Sequence, residues 1–325
     1  MSNGPSVDWA ALERLRAAFL AGTAGERDYW QEESDLASYD ATFAQRIGWK
    51  WDFVLEDLRA LGWSPPAGPV TDWGCGSGVA GRAFLDHFPA PPGAVLHLWD
   101  RSPRAVEFAA RRARGRFPAL NVVPGATAPG GVWLLSHVLT ELAPAQVDDV
   151  LKKLEPAEAV LWVEPGTYDA SLALVAIRER LRAKFRLVAP CLHGGACGLL
   201  APGNEPHWCH HFAAPPPWVF TDSDWGRFAS LLGIDLGSLP VSYLVLDRRP
   251  VPAPPPGTVR VLGRPRLLKA GVRELVCDAA GVREVEVPKR GFPEFFRAVK
   301  KDRWTSRQRL TRGPEGVAAA EMTEL

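Results

Sequence analysis

Apolar residues recur at helical spacing in VDWAALERLRAAFLAG (7–22), which opens on an acid and stops at a glycine. ATFAQRIGWKWDFVLEDLRALG (41–62) repeats the pattern and gives way to the breaker SPPAGP (64–69), so residues 8–62 read as helices. From Pro69 short apolar runs alternate with amphipathic ones. PVTDWG, AVLHLWD, LNVVPG, GVWLLSH and AEAVLWVEPG read as strands, whereas AGRAFLDHF, PRAVEFAARRARGRF, PAQVDDVLKKL and YDASLALVAIRERLRAKF read as helices. Strands and helices trading places at this rhythm predict an α/β fold with a right-handed, doubly wound, Rossmann-like sheet. The pattern breaks after Phe185 and resumes with the helix TDSDWGRFASLLG and the strand VSYLVLDR.

Past the proline-rich linker RRPVPAPPPGT, residues 258–290 alternate in short runs with glycine turns, which predicts a small β module. FPEFFRAVKKDRW follows as a basic helix, and the last dozen residues are expected to fray. The organisation expected is an N-terminal helical region (1–66), a sheet domain (67–250) carrying a Cys-rich insertion (about 186–215), a basic C-terminal module (251–312) and a tail (313–325).

Composition changes this picture little: 325 residues, 46% hydrophobic and 23% charged, describe a soluble globular chain. Charge placement matters more. Net charge is +1, yet residues 248–312 hold 17 Lys/Arg against 6 Asp/Glu, which suits a surface facing a polyanion. No apolar run reaches membrane-spanning length and the N-terminus lacks a signal-peptide core. Five cysteines, an odd number, point to a reducing compartment and to thiols used for chemistry or metal. With its Ala/Arg/Pro/Gly-rich composition, the chain reads as a bacterial cytoplasmic monomer that binds neither DNA nor membrane.

DWGCGSG (72–78) joins the first strand to its helix, the position at which doubly wound sheets bind nucleotide-like ligands. Gly74, Gly76 and Gly78 permit a tight turn and close backbone approach, and the helix start offers free N–H groups. Asp72 precedes the loop; Asp100, at the tip of the second strand, can accept hydrogen bonds from both hydroxyls of a ribose. The loop and that acid resemble S-adenosylmethionine-dependent methyltransferases more than nicotinamide dehydrogenases, whose glycines are spaced more widely. The acid that many such enzymes carry after the third strand for the adenine amino group is absent from VVPGATAPGG, and the Asn/Asp-Pro-Pro-aromatic signature is absent after the fourth. His137 and Glu141 could act as a general base or simply pack and cap. No catalytic residue is assigned.

APCLHGGACGLLAPGNEPHWCHHF (189–212) holds three cysteines among Gly, Pro and Ala. The Pro190-Cys191 pair resembles the nucleophile of carbon-5 pyrimidine methyltransferases, but it follows a helix rather than a strand tip. Inert buried thiols are a second reading. A metal site is the third: Cys191, Cys197 and Cys209, with Cys277 from the β module, suit a tetrahedral zinc or an iron–sulfur cluster, and His193, His207, His210 and His211 leave a mixed Cys/His site open.

DWGCGSG, VEPGT, APCLHGGACGL, HWCHHF, VSYLVL and the late LVC before a basic helix together resemble the bacterial–mitochondrial family of small-ribosomal-subunit methyltransferase-like proteins, which includes the animal methyltransferase-like protein 17. The resemblance runs from about Ser38 to Trp304. It implies a methyltransferase fold, association with the small ribosomal subunit during assembly, and a [4Fe–4S] cluster on Cys191, Cys197, Cys209 and Cys277; zinc is the alternative from the residues alone. The chain departs from the family in lacking the adenine-side acid and in carrying DRWTSRQ after the basic helix. The expected function is an rRNA-binding assembly or maturation factor, with S-adenosylmethionine held by Asp72, Gly74, Gly76, Gly78 and Asp100 and with methyl transfer left open. The alternatives are a conventional methyltransferase with structural zinc and a scaffold with a vestigial pocket. Arg264, Arg266, Lys269, Lys289, Arg290, Lys300, Lys301 and Arg303 are the expected rRNA contacts, within a wider basic set that includes Arg260, Arg307 and Arg309; ribosomal proteins are further candidate partners. Phe292, Phe295, Phe296 and Val299 fall at helical spacing and are expected to dock the basic helix.

Overall fold

The structure is a computed structural model and describes residues 7–22, 29–313 and 316–322. In chain order the elements are α1 (Trp9–Leu20), α2 (Glu33–Ala41), α3 (Phe43–Ala60), β1 (Val70–Trp73), α4 (Val79–His87), β2 (Val95–Trp99), α5 (Pro103–Arg116), β3 (Asn121–Pro124), β4 (Val132–Ser136), α6 (Pro144–Lys153), β5 (Ala159–Pro165), α7 (Tyr168–Leu181), β6 (Arg186–Ala189), β7 (His211–Ala213), α8 (Ser223–Leu232), β8 (Leu239–Asp247), β9 (Thr258–Leu267), β10 (Gly271–Asp278), β11 (Gly281–Pro288), α9 (Pro293–Lys300), β12 (Arg307–Gly313) and β13 (Gly316–Met322). Chain contacts divide the molecule into one unit of residues 1–164 and 213–239 and another of residues 165–212 and 240–325.

In the first unit the strands run in the order β3-β2-β1-β4-β5, each parallel to its neighbours. β1 and β5 have almost no exposed side chain, as parallel strands covered on both faces require. The order reverses direction at β1, so the loop after β1 opens at the switch point where such sheets hold ligands. Local chemistry fits these elements. Asp8 and Ser102 cap α1 and α5 through their side chains, Pro103 starts α5, and Gly233 ends α8 in the left-handed conformation. Aromatic residues of the N-terminal helices pack with α8: Phe43 meets Phe228 edge-on at 5.1 Å, and Trp49 lies 5.1 Å from Trp225. The predicted α/β class, Rossmann-like sheet and N-terminal helices are what the chain forms.

In the second unit β6 pairs antiparallel with β8, and β7 also pairs with β8. β9 to β13 form a separate antiparallel sheet ordered β11-β10-β9-β12-β13, with α9 packed through Phe295 and Val299 against Val259, Val272, Val285 and Leu310. Two differences from the sequence reading stand out. The segment expected to leave the sheet after Phe185 is bounded by β6 and β7, strands too short to register as alternation. Pro190-Cys191 therefore does follow a strand tip, against the expectation. Where a frayed end is expected, β12 and β13 pair as a hairpin, and β12 is held to β9; residues 314–315 and 323–325 lie outside the described residues.

Candidate functional sites

The glycine loop carries the first site. Gly74, Gly76 and Gly78 all have positive φ, +70°, +51° and +80°, which side chains rarely adopt. Close approach reinforces the requirement at two of them: a Cβ on Gly74 would lie 2.6 Å from Cγ1 of Val138, and one on Gly78 would lie 2.9 Å from Cβ of Ala109. Asp100 holds the loop from the tip of β2, its Oδ2 accepting from Gly76 N–H at 2.9 Å and its Oδ1 from Ser102 N–H at 2.9 Å. Asp72, fully buried, accepts from Gly81 N–H at 2.9 Å and so ties β1 to the first turn of α4. Burial pushes the Asp72 carboxyl up to about 7.

A cavity of about 250 Å³ opens beside this loop, with Gly74, Gly76, Asp100, His137 and Glu141 on its wall and Tyr29, Tyr39, Trp73 and Trp99 as its aromatic faces. Asp72 and Gly78 do not line it. They shape the loop from beneath. Trp73 and Trp99 stack on each other at 4.8 Å. No residue of the stretch after β3 (125–131) is among the lining residues, in keeping with the absence of an adenine-side acid there.

His137 occupies the left-handed region (φ 55°), with Nε2 3.3 Å from Nζ of Lys50 and Nδ1 3.5 Å from Oγ of Ser136. Burial, then the neighbouring ammonium, hold the His137 imidazolium far below its ordinary range; burial also lowers Lys50 to about 8. Glu141 meets the Tyr29 hydroxyl at 3.3 Å and Arg101 at 3.5 Å. Glu164, at the end of β5, shapes this wall: its Oε1 accepts from the N–H groups of Val138 and Leu139 (3.0 and 3.1 Å) and from Trp162 Nε1 at 2.8 Å. Burial raises Glu164 to about 7. Sequence reasoning names His137 and Glu141 but misses Lys50 and Glu164. A lysine inside the apolar GWKWDF and a glutamate closing the apolar run AVLWVE are the signals that could have found them.

The second site lies wholly in the second unit. Cys191, Cys197, Cys209 and Cys277 line one cavity with His193, Arg178 and a ring of apolar side chains. Arg178, on α7 and almost fully buried, organises the loop. Its Nε donates to Sγ of Cys191 at 3.1 Å, and its Nη2 donates to the carbonyls of His193 (3.3 Å) and Gly195 (2.9 Å). Its ion-pair partner Glu179 accepts from Cys197 N–H at 3.1 Å. Ser171 and Ser242 donate to the Cys209 carbonyl at 2.9 and 2.6 Å. Cys277 enters from β10, with His193 Nε2 4.0 Å from its sulfur. Gly198 brings the loop against the β10–β11 turn so closely that a Cβ would lie 2.6 Å from Val282 N. Burial, then the other sulfurs, push the thiols of Cys209 and Cys277 up, Cys277 to about 12. Among the described residues, no three Cys, His, Asp or Glu side chains stand grouped to hold a metal ion. The donor set still suits one: four thiols on one cavity, with no carboxylate among the lining residues. Of the histidines, His193 lines the cavity, and His211 is buried with Nε2 3.8 Å from Sγ of Cys209; His207 and His210 do not line it. Cys75 lies in the glycine loop of the other unit.

All eight expected RNA contacts are exposed, all in the second unit. Lys289 N–H donates to Ala270 O, which draws Lys269, Lys289 and Arg290 to one end of the β9–β11 sheet. Lys300, Lys301 and Arg303 close α9. Arg260 and Arg307 are corrected: both are buried, and Arg260 donates to Pro190 O at 3.0 Å and to Ser306 Oγ at 3.1 Å. Their positions on inward faces of β9 and β12 make them structural groups, not phosphate contacts.

A parallel 3-2-1-4-5 sheet with a glycine loop after β1 and an acid capping β2 defines the class: a doubly wound, Rossmann-like fold. The particular family follows from the sequence. The Rsm22 family, described as mitochondrial small ribosomal subunit Rsm22, matches residues 110–309, more than half of the chain, and the protein belongs to it. Similar solved structures include the mitomycin 7-O-methyltransferase MmcR (18% identity, 74% of this chain and 68% of that one, TM-score 0.36). The O-methyltransferase NcsB1 of neocarzinostatin biosynthesis, bound to S-adenosylmethionine, matches at 18% identity over 56% of this chain and 64% of its own, TM-score 0.39. The plantazolicin methyltransferase BpumL matches at 12% over 74% and 100%, TM-score 0.36. No curated protein sequence matches the chain. No helix among the described residues is long and apolar enough to cross a membrane.

Proposed function

We propose that this protein is an rRNA-binding factor for assembly or maturation of the small ribosomal subunit, working as a cytoplasmic bacterial monomer. The observation that carries the reading is membership of a family described by that subunit, over residues that include the whole cysteine segment. The eight exposed cations give it a physical basis. Phosphate neutralisation supplies affinity and salt dependence without sequence choice. Arg266, Lys269, Arg290, Lys300, Lys301 and Arg303 form no ion pair among the described residues, so their charge is not already neutralised.

S-adenosylmethionine is the proposed ligand of the first cavity. The positive-φ glycines leave backbone where a Cβ would stand, and Asp100 is placed to exchange its Gly76 contact for ribose hydroxyls. When bound, that cofactor supplies an electrophilic methyl group. Toward any acceptor, His137, backed by Lys50, and Glu141 are groups on the cavity wall that can hold or move a proton. A [4Fe–4S] cluster, or zinc, is the proposed occupant of the four-cysteine cavity. It would tie the loop of residues 190–210 to β10 and couple the folding of this unit to metal loading.

Filter binding of small-subunit rRNA as a function of salt tests the function. The slope of log affinity against log salt is expected to flatten by about 2–3 when Lys300, Lys301 and Arg303 are replaced together by Ala. Tight binding with an unchanged slope would overturn their role, and absence of binding would overturn the function.

A further inference from the structure

The stretch that carries Cys209 has a second face. Along residues 208–212 side chains alternate: Cys209 and the buried His211 turn to one side, their Sγ and Nε2 3.8 Å apart. Trp208, His210 and Phe212 turn to the other. There Trp208 and His210 stack in nearly parallel planes at 4.4 Å, and His210 meets Phe212 at 5.4 Å. The row continues at both ends. Tyr168 lies 5.9 Å from Trp208, and the guanidinium of Arg264 sits 4.3 Å over the Phe212 ring.

The row is fixed by its edges. Trp208 Nε1 donates to Gly166 O at 3.0 Å and the Tyr168 hydroxyl to Glu205 O at 2.7 Å. Gly263 N–H donates to His210 O at 2.8 Å, and a Cβ on Gly263 would lie 3.1 Å from His210 Nε2. No core requires this arrangement at its ends, because Tyr168 is 40% exposed and Arg264 is exposed.

We propose that Tyr168, Trp208, His210, Phe212 and Arg264 form a stacking site for unpaired nucleobases of single-stranded RNA. Rigid rings and guanidinium planes are the surfaces on which unstacked bases settle, and every base offers a π-face to them. Charge singles out this ligand: Arg264 ends the row, and Arg266, two residues along β9 and also exposed, adds a second cation for the backbone that such bases carry. The site rests on the RNA-binding reading and adds to it. The cations give affinity for any RNA, whereas this row selects its unpaired parts.

Fluorescence anisotropy with the full chain tests it, using an oligouridylate of about ten nucleotides and an abasic oligomer with the same phosphates. The wild type is expected to prefer the oligouridylate. Tyr168→Leu and Arg264→Lys should each weaken oligouridylate binding about ten-fold, and Tyr168→Leu, at a residue outside the basic set, should leave the abasic oligomer unaffected. Tyr168→Phe keeps the ring and should retain the full preference. Equal wild-type affinity for the two oligomers, or a preference that survives Leu and Lys, overturns the stacking site while the RNA-binding reading stands. A Tyr168→Phe loss as large as that of Tyr168→Leu overturns it too. If neither oligomer nor small-subunit rRNA binds, both readings fall.

Discussion

Arg178 Nε donates to Sγ of Cys191 across 3.1 Å, so the first cysteine of the loop is held by a buried helix side chain before any metal is considered. The same guanidinium satisfies two loop carbonyls. Arg178→Met keeps the stem and removes all three donors. A loss of about 1–3 kcal/mol is expected, since the half-buried Cys191 sulfur and the two loop carbonyls lose a charged donor. Urea denaturation measures it, and faster alkylation of Cys191 should accompany it.

Gly198→Ala probes the approach of the loop to β11. Its Cβ would stand 2.6 Å from the backbone nitrogen of Val282, which cannot rotate away. A cost of about 1–3 kcal/mol is expected, together with lower metal content in freshly purified protein.

Cys277→Ser tests whether β10 shares a metal with the loop. Iron or zinc per chain should fall, and limited proteolysis should cut within residues 190–210 sooner than in the wild type. Unchanged metal content with unchanged cleavage would refute the shared centre.

Glu164 makes stability fall as pH rises. Its carboxyl is raised from 4.5 to about 7 by burial, so between those values the unfolded chain has lost the proton that the folded chain keeps. Stability is full below about 4.5 and declines toward 7, by roughly 3 kcal/mol for a shift of this size. Glu164→Gln retains an acceptor for Val138, Leu139 and Trp162 and should flatten this part of the pH–stability curve relative to wild type. Thermal unfolding at pH 5, 6 and 7 would show it.

Asp100→Ala frees Gly76 N–H and removes the acid from the cavity wall. Calorimetric affinity for S-adenosylmethionine should drop at least about ten-fold, the worth of one charge-assisted pair of hydrogen bonds. Equal affinities would remove Asp100 from the cofactor site.

The sheet of the first unit was legible because its strands are continuous apolar runs and its loop carries glycines that only positive φ explains. β6 and β7 were hidden by length: four and three residues hold too little alternation to separate strand from loop. The β12–β13 hairpin was hidden by composition, since RQRLTRG offers one apolar residue and its stability comes from pairing with β9. Arg260 shows a further limit: charge density along a chain says nothing of facing, and alternation along β9 turned that arginine inward. The cysteines were legible as a set from their chemistry. Their convergence was expected from donor chemistry and from the resemblance although Cys277 lies 68 positions after Cys209, and the folded β10 brings Cys277 to the cavity that the other three line.

The two-sidedness of residues 208–212 makes this stretch intolerant of any change in its length. Adding or deleting one residue there would rotate a sulfur outward and an indole inward, spoiling both surfaces at a stroke. These five positions must be inherited as a block.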